Sequence, residues 1–276
     1  MSKTTVAASL AALTMLYSIG ALANDWDCKV SADRTATIPS AGVTRLVLGA
    51  GPGDLKVRGE PGRTSVQADG HACAQTDKVL AEIKLESRRE GDTVYLKTVF
   101  PTNNREGNVR MDLVVLLPDS LAVSLEDSSG DLELRKVRSA VVADSSGEQT
   151  VRDIAGDLDV SDSSGDIVIG NVGGSLKLKD SSGDVHIEEV KGDVTVTVDS
   201  SGDLDIRRVG GGVHILNDSS GEIVVSDVQK DVKVDVDSSG SIRVSSVGGD
   251  FTVDADASGD IEHEKVLGRV QLPPKR

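Results

Sequence analysis

The sequence has very few aromatic residues: one Trp, two Tyr and two Phe among 276 positions. Large apolar cores normally rely on aromatic rings. A chain this poor in them must bury Val, Ile and Leu instead, which suits narrow, repetitive β-coils. The same scarcity leaves almost no platform for stacking sugars. Basic surface is also short, with 30 Lys and Arg against 45 Asp and Glu and a net charge of -15. Nucleic acid and anionic membrane both need cationic surface, so neither is expected as a partner. Apolar runs long enough to span a bilayer are missing throughout.

What the N-terminus does have is a leader-like segment. Lys3 precedes an apolar run from Val6 to Gly20, and Ala21-Leu22-Ala23 follows with small residues where a signal peptidase reads. This layout predicts a signal peptide over 1–23 and a mature chain from Asn24, located in the periplasm or outside the cell. Losing Lys3 with the leader takes the net charge from -15 to -16. No Cys stands at the start of the mature chain, so no lipid anchor is expected. The two cysteines, Cys28 and Cys73, are expected to form a disulfide in an exported chain. Closing a loop of that length stabilises by roughly 4 kcal/mol on the chain-entropy model. A metal or redox pair would usually lie closer together in sequence.

The dominant feature is a repeat. Asp-Ser-Ser-Gly starts at Asp127, Asp144, Asp162, Asp180, Asp199, Asp218 and Asp237, and Asp256-Ala-Ser-Gly closes the series of eight. The spacings are 17, 18 and 18, then 19 four times. In the unit from Asp162, apolar residues alternate at Ile167 and Ile169, a lone one follows at Val172, and a second stretch holds Leu176 and Leu178. Period-2 alternation marks strands with one buried face. One coil cannot bury that face alone, but eight stacked at ~4.8 Å give a rod about 40 Å long with a continuous aliphatic core. The expected fold is therefore all-β: a single-stranded parallel β-helix, or β-solenoid, of 17–19 residues per coil, with right-handed connections. The regular solenoid is expected over 127–266, with a C-terminal tail at 267–276.

Residues 24–126 are less regular but still β-like. Val43–Leu48, Asp54–Val57, Ala81–Leu85, Thr93–Thr98 and Met111–Leu117 read as strands, with turns at Gly51–Gly53, Glu60–Gly62 and Arg89–Gly91. This region is expected to supply N-terminal coils and a cap over an end whose strand edges would otherwise recruit other chains. Its last segment, Leu113 to Leu121, is expected to run straight into the first repeat.

The apolar strand ending in Leu117-Pro118, then Leu121-Ala-Val-Ser-Leu and the serial Ser-Gly-Asp-apolar-x-apolar units, resembles the bacterial adhesin-like β-strand-repeat family, a domain of unknown function. The resemblance covers roughly 42–266. It implies a β-helical fold and a cell-envelope or extracellular setting, and it carries over no catalytic residue.

Two acidic columns follow from the repeat. Asp127, Asp144, Asp162, Asp180, Asp199, Asp218, Asp237 and Asp256 should stack along one edge, and Asp131, Glu148, Asp166, Asp184, Asp203, Glu222, Ser241 and Asp260 beside them. Unit charges about 5 Å apart repel by roughly 1 kcal/mol in water and roughly 3 at an intermediate dielectric. A backbone N–H donated to a charged group contributes about 1.5–3 kcal/mol, so an Asx-turn can hold each Asp without metal. The first column is thus read as structural turns, with Gly at positive φ. Calcium is the alternative ligand, since stacked acidic turns supply oxygens. The second, glycine-rich corner (Gly173-Gly174, Gly210–Gly212, Gly248-Gly249) is expected to carry no comparable acid ladder. No other cofactor is expected.

Catalysis is not expected. A nucleophile needs a base in reach and a third group to orient it. His186 and His214 should point outward from different strands, His263 lies near the last coil's end, and His71 neighbours Cys73. The near-constant repeat length leaves no room for the protruding loops that build a cleft on a β-helical glycan enzyme. The outward strand columns are mixed in character. The expected function is a non-catalytic, adhesin-like binding or structural scaffold whose partner is a cell-envelope or surface protein or glycan. A calcium-binding secreted solenoid is the first alternative, and a glycan- or cell-wall-active β-helix enzyme the second.

Overall fold

The structure is a computed structural model that describes residues 28–102 and 108–274. The expected leader and Trp26 lie outside the described residues. Among the described residues the chain forms two twelve-stranded sheets joined at two corners, sheet I from Val30–Pro39 to Ile261–Val266 and sheet II from Lys84–Glu90 to Val270–Gln271. The N-terminal elements are β1 (Val30–Pro39), β2 (Arg45–Gly49), β3 (Leu55–Glu60), β4 (Ser65–Ala74), α1 (Asp77–Leu80), β5 (Lys84–Glu90), β6 (Thr93–Val99), β7 (Arg110–Pro118), β8 (Ala122–Glu126) and β9 (Leu132–Val137). From β8 onward each strand of sheet II is followed by one of sheet I, ending with Ile261–Val266 and Val270–Gln271. Every pairing along this stretch is parallel, one coil to the next. The all-β solenoid expected from the repeat is the fold.

The coil's burial pattern explains its sequence. In Val185–Val190, Val185, Ile187 and Val190 are buried while the residues between are not. Strict alternation would turn the sixth residue outward. Instead Glu189 adopts φ 62°, and this left-handed step swings Val190 into the core. All eight coils repeat the step, at Lys136, Asp153, Asn171, Glu189, Arg208, Asp227, Ser246 and Lys265, with φ between 53° and 62°. A non-glycine residue there costs roughly 1–3 kcal/mol. Burying the aliphatic side chain that follows contributes about 1.5–3 kcal/mol, which offsets the cost.

One aliphatic core runs from Val43 to Val253. Phe251 is fully buried near its C-terminal end, and the His263 ring lies over it with centroids 6.1 Å apart. A smaller cluster of Ala72, Ala74, Val79, Leu80, Ile83 and Met111 fills the opposite end.

The N-terminal region stacks out of chain order. β2 and β3 form one coil, flanked by β6 and β7 on one side and by β8 and β9 on the other. The segment after β7 leads directly into β8 and the first repeat, but that coil does not stack on β7. The segment crosses the β2–β3 coil, and Asp119 N–H donates to Glu60 O on the way at 3.4 Å. The crossing requires Gly59: an added β-carbon would overlap the Lys136 carbonyl oxygen and come within 2.9 Å of Asp119 Cα. Beyond β7, β4 and β1 continue sheet I antiparallel, and β5 closes sheet II antiparallel to β6. The Cys28–Cys73 disulfide joins the start of β1 to the end of β4, with Cα atoms 5.7 Å apart.

Candidate functional site

The Asp-Ser-Ser-Gly corner is a chemically distinctive element that recurs along the repeats. Its Gly adopts φ between 114° and 142°, conformations that L side chains rarely take. The stacking adds a second constraint. A β-carbon on Gly183 would overlap the carbonyl oxygen of Gly165 one coil earlier, and the same relation holds for Gly202 over Gly183. From the Asp144 corner onward the second Ser donates its hydroxyl to the carbonyl of the first Ser one coil back: Ser146 to Ser128 at 3.3 Å, Ser182 to Ser163 at 3.2 Å and Ser239 to Ser219 at 3.1 Å. The corner is thus stitched between coils as well as within them.

The corner Asp residues do not sit on a solvated edge. Asp127, Asp144, Asp162, Asp180, Asp199, Asp218 and Asp237 are all buried, and Asp256 in the last corner is half-buried. The expected turn bond to the N–H two residues on is made by Asp180 Oδ1 from Ser182 at 3.3 Å and by Asp237 Oδ1 from Ser239 at 3.1 Å, whereas Asp144 Oδ1 accepts from the next residue, Ser145, at 2.7 Å. Many of their oxygens accept nothing, including both of Asp127, Asp162, Asp199 and Asp218. Burial, only partly offset by the corner backbone N–H groups, pushes the carboxyls up, to about 7 for Asp127, about 6 for Asp162, about 7 for Asp199 and about 8 for Asp218. Asp144, Asp180 and Asp237 are raised by the same cause.

The adjoining acidic column is a different object. Asp166 Oδ1 accepts the N–H of Asp184 one coil on at 3.0 Å, Asp184 accepts that of Asp203 at 3.0 Å, and Asp203 that of Glu222 at 2.9 Å. Each carboxylate fixes the stacking of the next coil. The second corner holds a comparable series, contrary to expectation. Asp157, Asp193, Asp231 and Asp250 accept the N–H of Ser175, Gly212, Asp250 and Arg269 at 2.7–2.9 Å. That hydrogen bond lowers the Asp193 and Asp250 carboxyls, in line with its exposed setting. The signal was present in the sequence as a repeated acid-apolar step at 157–158, 193–194, 231–232 and 250–251. Among the described residues no group of three or more His, Cys, Asp or Glu side chains is placed to hold a metal ion.

The histidines stay apart. His71 Nδ1 lies 2.9 Å from Asp33 Oδ1 at the cap, His186 Nδ1 lies 3.2 Å from Asp205 on sheet I, and His214 Nε2 lies 2.9 Å from Asp235 on sheet II. Among the described residues none is hydrogen-bonded to a serine or threonine hydroxyl, so no nucleophile–base pair forms around them. On the outer faces, ion pairs link coils: Arg243 bridges Glu222 and Glu262, and Lys233 bridges Asp235 and Asp254 at 2.7 and 3.0 Å. Tyr95, on the outer face of sheet II, lies under the Arg88 guanidinium at 4.3 Å. Among the described residues no helix is long and apolar enough to cross a membrane.

No curated protein matches the chain. Several solved structures are similar to the chain over most of its length. A putative lipid binding protein from Parabacteroides distasonis is 16% identical, with 87% of this chain and 96% of that one covered and a TM-score of 0.48. For a putative adhesin from Parabacteroides merdae the figures are 12%, 88%, 96% and 0.45. For a putative cell adhesion protein from Clostridium sporogenes they are 11%, 88%, 99% and 0.37. The family model described as Toastrack DUF4097 matches residues 36–271, and the chain belongs to that family.

Proposed function

We propose that this chain is an exported, non-catalytic scaffold of the bacterial cell envelope, with an adhesin-like role in which its strand faces engage a surface protein or glycan. The observation that carries the reading is the division of labour within each coil. The interior repeats almost without change, while the outward positions of the same strands vary, as at Thr150, Val168, His186, Asp205, Val224 and Arg243. An invariant rod with variable faces presents chemistry over a long, flat surface. The dispersed histidines support a role without catalysis. The leader-like start of the sequence and the Cys28–Cys73 bond support export, because disulfides persist in oxidising compartments.

The test removes one coil in register. Deleting 199–217 joins Val198 to Asp218, which occupies the register position of Asp199 in the next coil. Folding should survive, as judged by an unchanged β-type circular dichroism spectrum. Binding of the purified chain to isolated bacterial cell envelopes should weaken by about tenfold, or ~1.4 kcal/mol. Undiminished binding by the deletion would sink the face-binding reading.

A further inference from the structure

The buried column of corner carboxyls is more than a set of turns. We propose that Asp127, Asp144, Asp162, Asp180, Asp199, Asp218 and Asp237 form a proton-binding column, in which successive carboxyls share protons along the axis of the rod. The inference goes beyond the scaffold role and does not depend on it.

Three observations carry it. First, the seven residues are only 0–6% exposed, so water does not solvate them. Second, both oxygens of four of them, and one oxygen each of Asp144, Asp180 and Asp237, are buried with no hydrogen-bond partner. A carboxylate only accepts, whereas a protonated carboxyl supplies an O–H donor. Protons are therefore the missing donors that would satisfy this column. Third, the stacking brings the groups into reach of one another at a coil rise of ~4.8 Å. Asp199 is in register with Asp218, and Asp218 with Asp237 and Asp256 in turn.

The charged groups facing the column do not neutralise it. Asp54 and Asp144 face Asp127, and Asp144 and Asp180 face Asp162. Asp166 faces Asp180, and Asp180 and Asp184 face Asp199. Asp199 and Asp237 face Asp218, and Asp218 and Asp256 face Asp237. All the titratable neighbours are acidic, and among the described residues none of the seven makes an ion pair. A divalent cation such as calcium asks for six to eight oxygens. Here the nearby corner carbonyls, Ser163 O and Ser219 O among them, are taken by serine hydroxyls.

The sign of the linkage follows. These groups bind protons more tightly folded than unfolded. Their contribution is complete below the ordinary carboxylate range and is lost as pH rises through the folded values of about 6 to 8. The experiment uses the purified chain in two measurements. Thermal melts at pH 5 and pH 8 compare wild type with Asp199→Asn and Asp218→Asn, each in EDTA and in millimolar calcium chloride. Carbon-13 NMR follows the aspartate carboxyls of wild type from pH 4 to 9. A wild-type melt on the order of 10 °C lower at pH 8 is expected. The asparagine variants, which mimic the protonated acid, should match wild type at pH 5 and melt roughly 3 °C higher at pH 8. Corner carboxyl resonances should titrate well above pH 5, and calcium should change nothing. Resonances that all titrate near pH 4 would overturn the proposal in favour of ionised turns. A calcium-dependent rise in melting temperature, lost in Asp199→Asn, would overturn it in favour of a metal column. Should both variants fail to fold, the wild-type carboxyl titration decides alone.

Discussion

Gly202 lies directly over Gly183, with φ 123° and no space for a β-carbon beneath the carbonyl oxygen of the earlier glycine. Two penalties would act together on an alanine there: the backbone would leave its preferred conformation, and the coil above would have to lift. We expect Gly202→Ala to destabilise by about 3 kcal/mol, combining left-handed strain with overpacking. Urea unfolding of the variant checks it. A loss below about 1 kcal/mol would mean the coil spacing relaxes freely at this corner.

The left-handed column makes the opposite prediction. Ser246 holds φ 56° with an ordinary side chain, while Ser245 beside it is in register within the strand. Ser246→Gly should therefore stabilise the chain by roughly 0.5–1 kcal/mol, because glycine adopts that conformation without steric cost. Ser245→Gly should destabilise by a similar amount. If both variants lose stability equally, the left-handed step is not strained.

How much of this was legible in the sequence differs by region. The eight corners, the two strands per coil and the inward columns at Ile167, Ile169, Val172, Leu176 and Leu178 follow from period-2 alternation, because each coil repeats the same local problem. β1 and β4 were not legible because most of their inward positions are small or charged: Ala32, Arg34 and Ala36 in one, Ala68, Gly70 and Ala72 in the other. Such residues carry little β signal. The out-of-order stacking of β2 and β3 was not legible either, since strand pairing over that distance leaves no local trace except Gly59. At the corner the eight Asp residues were legible as a column, but their burial was not. Sequence spacing sets which residues stack, whereas the inward tilt of the side chain depends on how the coil closes.

The cap offers a test of the disulfide. Cys28–Cys73 ties β1 to β4 across 45 residues of chain. On the chain-entropy model its removal costs roughly 4 kcal/mol. A Cys28→Ser, Cys73→Ser variant should lose amide-exchange protection in β1 and β4 first, while strands such as Val185–Val190 keep theirs. Equal loss in both regions would show that the cap and the coils unfold as one unit.

Phe251 tests cooperativity from the other end. It is fully buried, it pairs in register with Val232, and its ring is covered by His263 from the last sheet I strand. Truncation to alanine should cost about 3–5 kcal/mol where the site cannot collapse. In a solenoid each coil touches only its neighbours, so the damage should stay local. We expect Phe251→Ala to abolish exchange protection in Phe251–Asp256 and Ile261–Val266, and to leave Leu132–Val137 and Gln149–Ile154 as slow as in wild type. The buried acid column supplies a reason for that boundary. Each coil removed from the C-terminal end exposes one more corner carboxyl to water, where it ionises at ordinary cost, so fraying becomes easier as pH rises. The same exchange measurement at pH 8 should therefore move the frayed boundary inward, toward Ile223–Val228. A boundary that stays put from pH 5 to pH 8 would separate the packing of Phe251 from the chemistry of the corners.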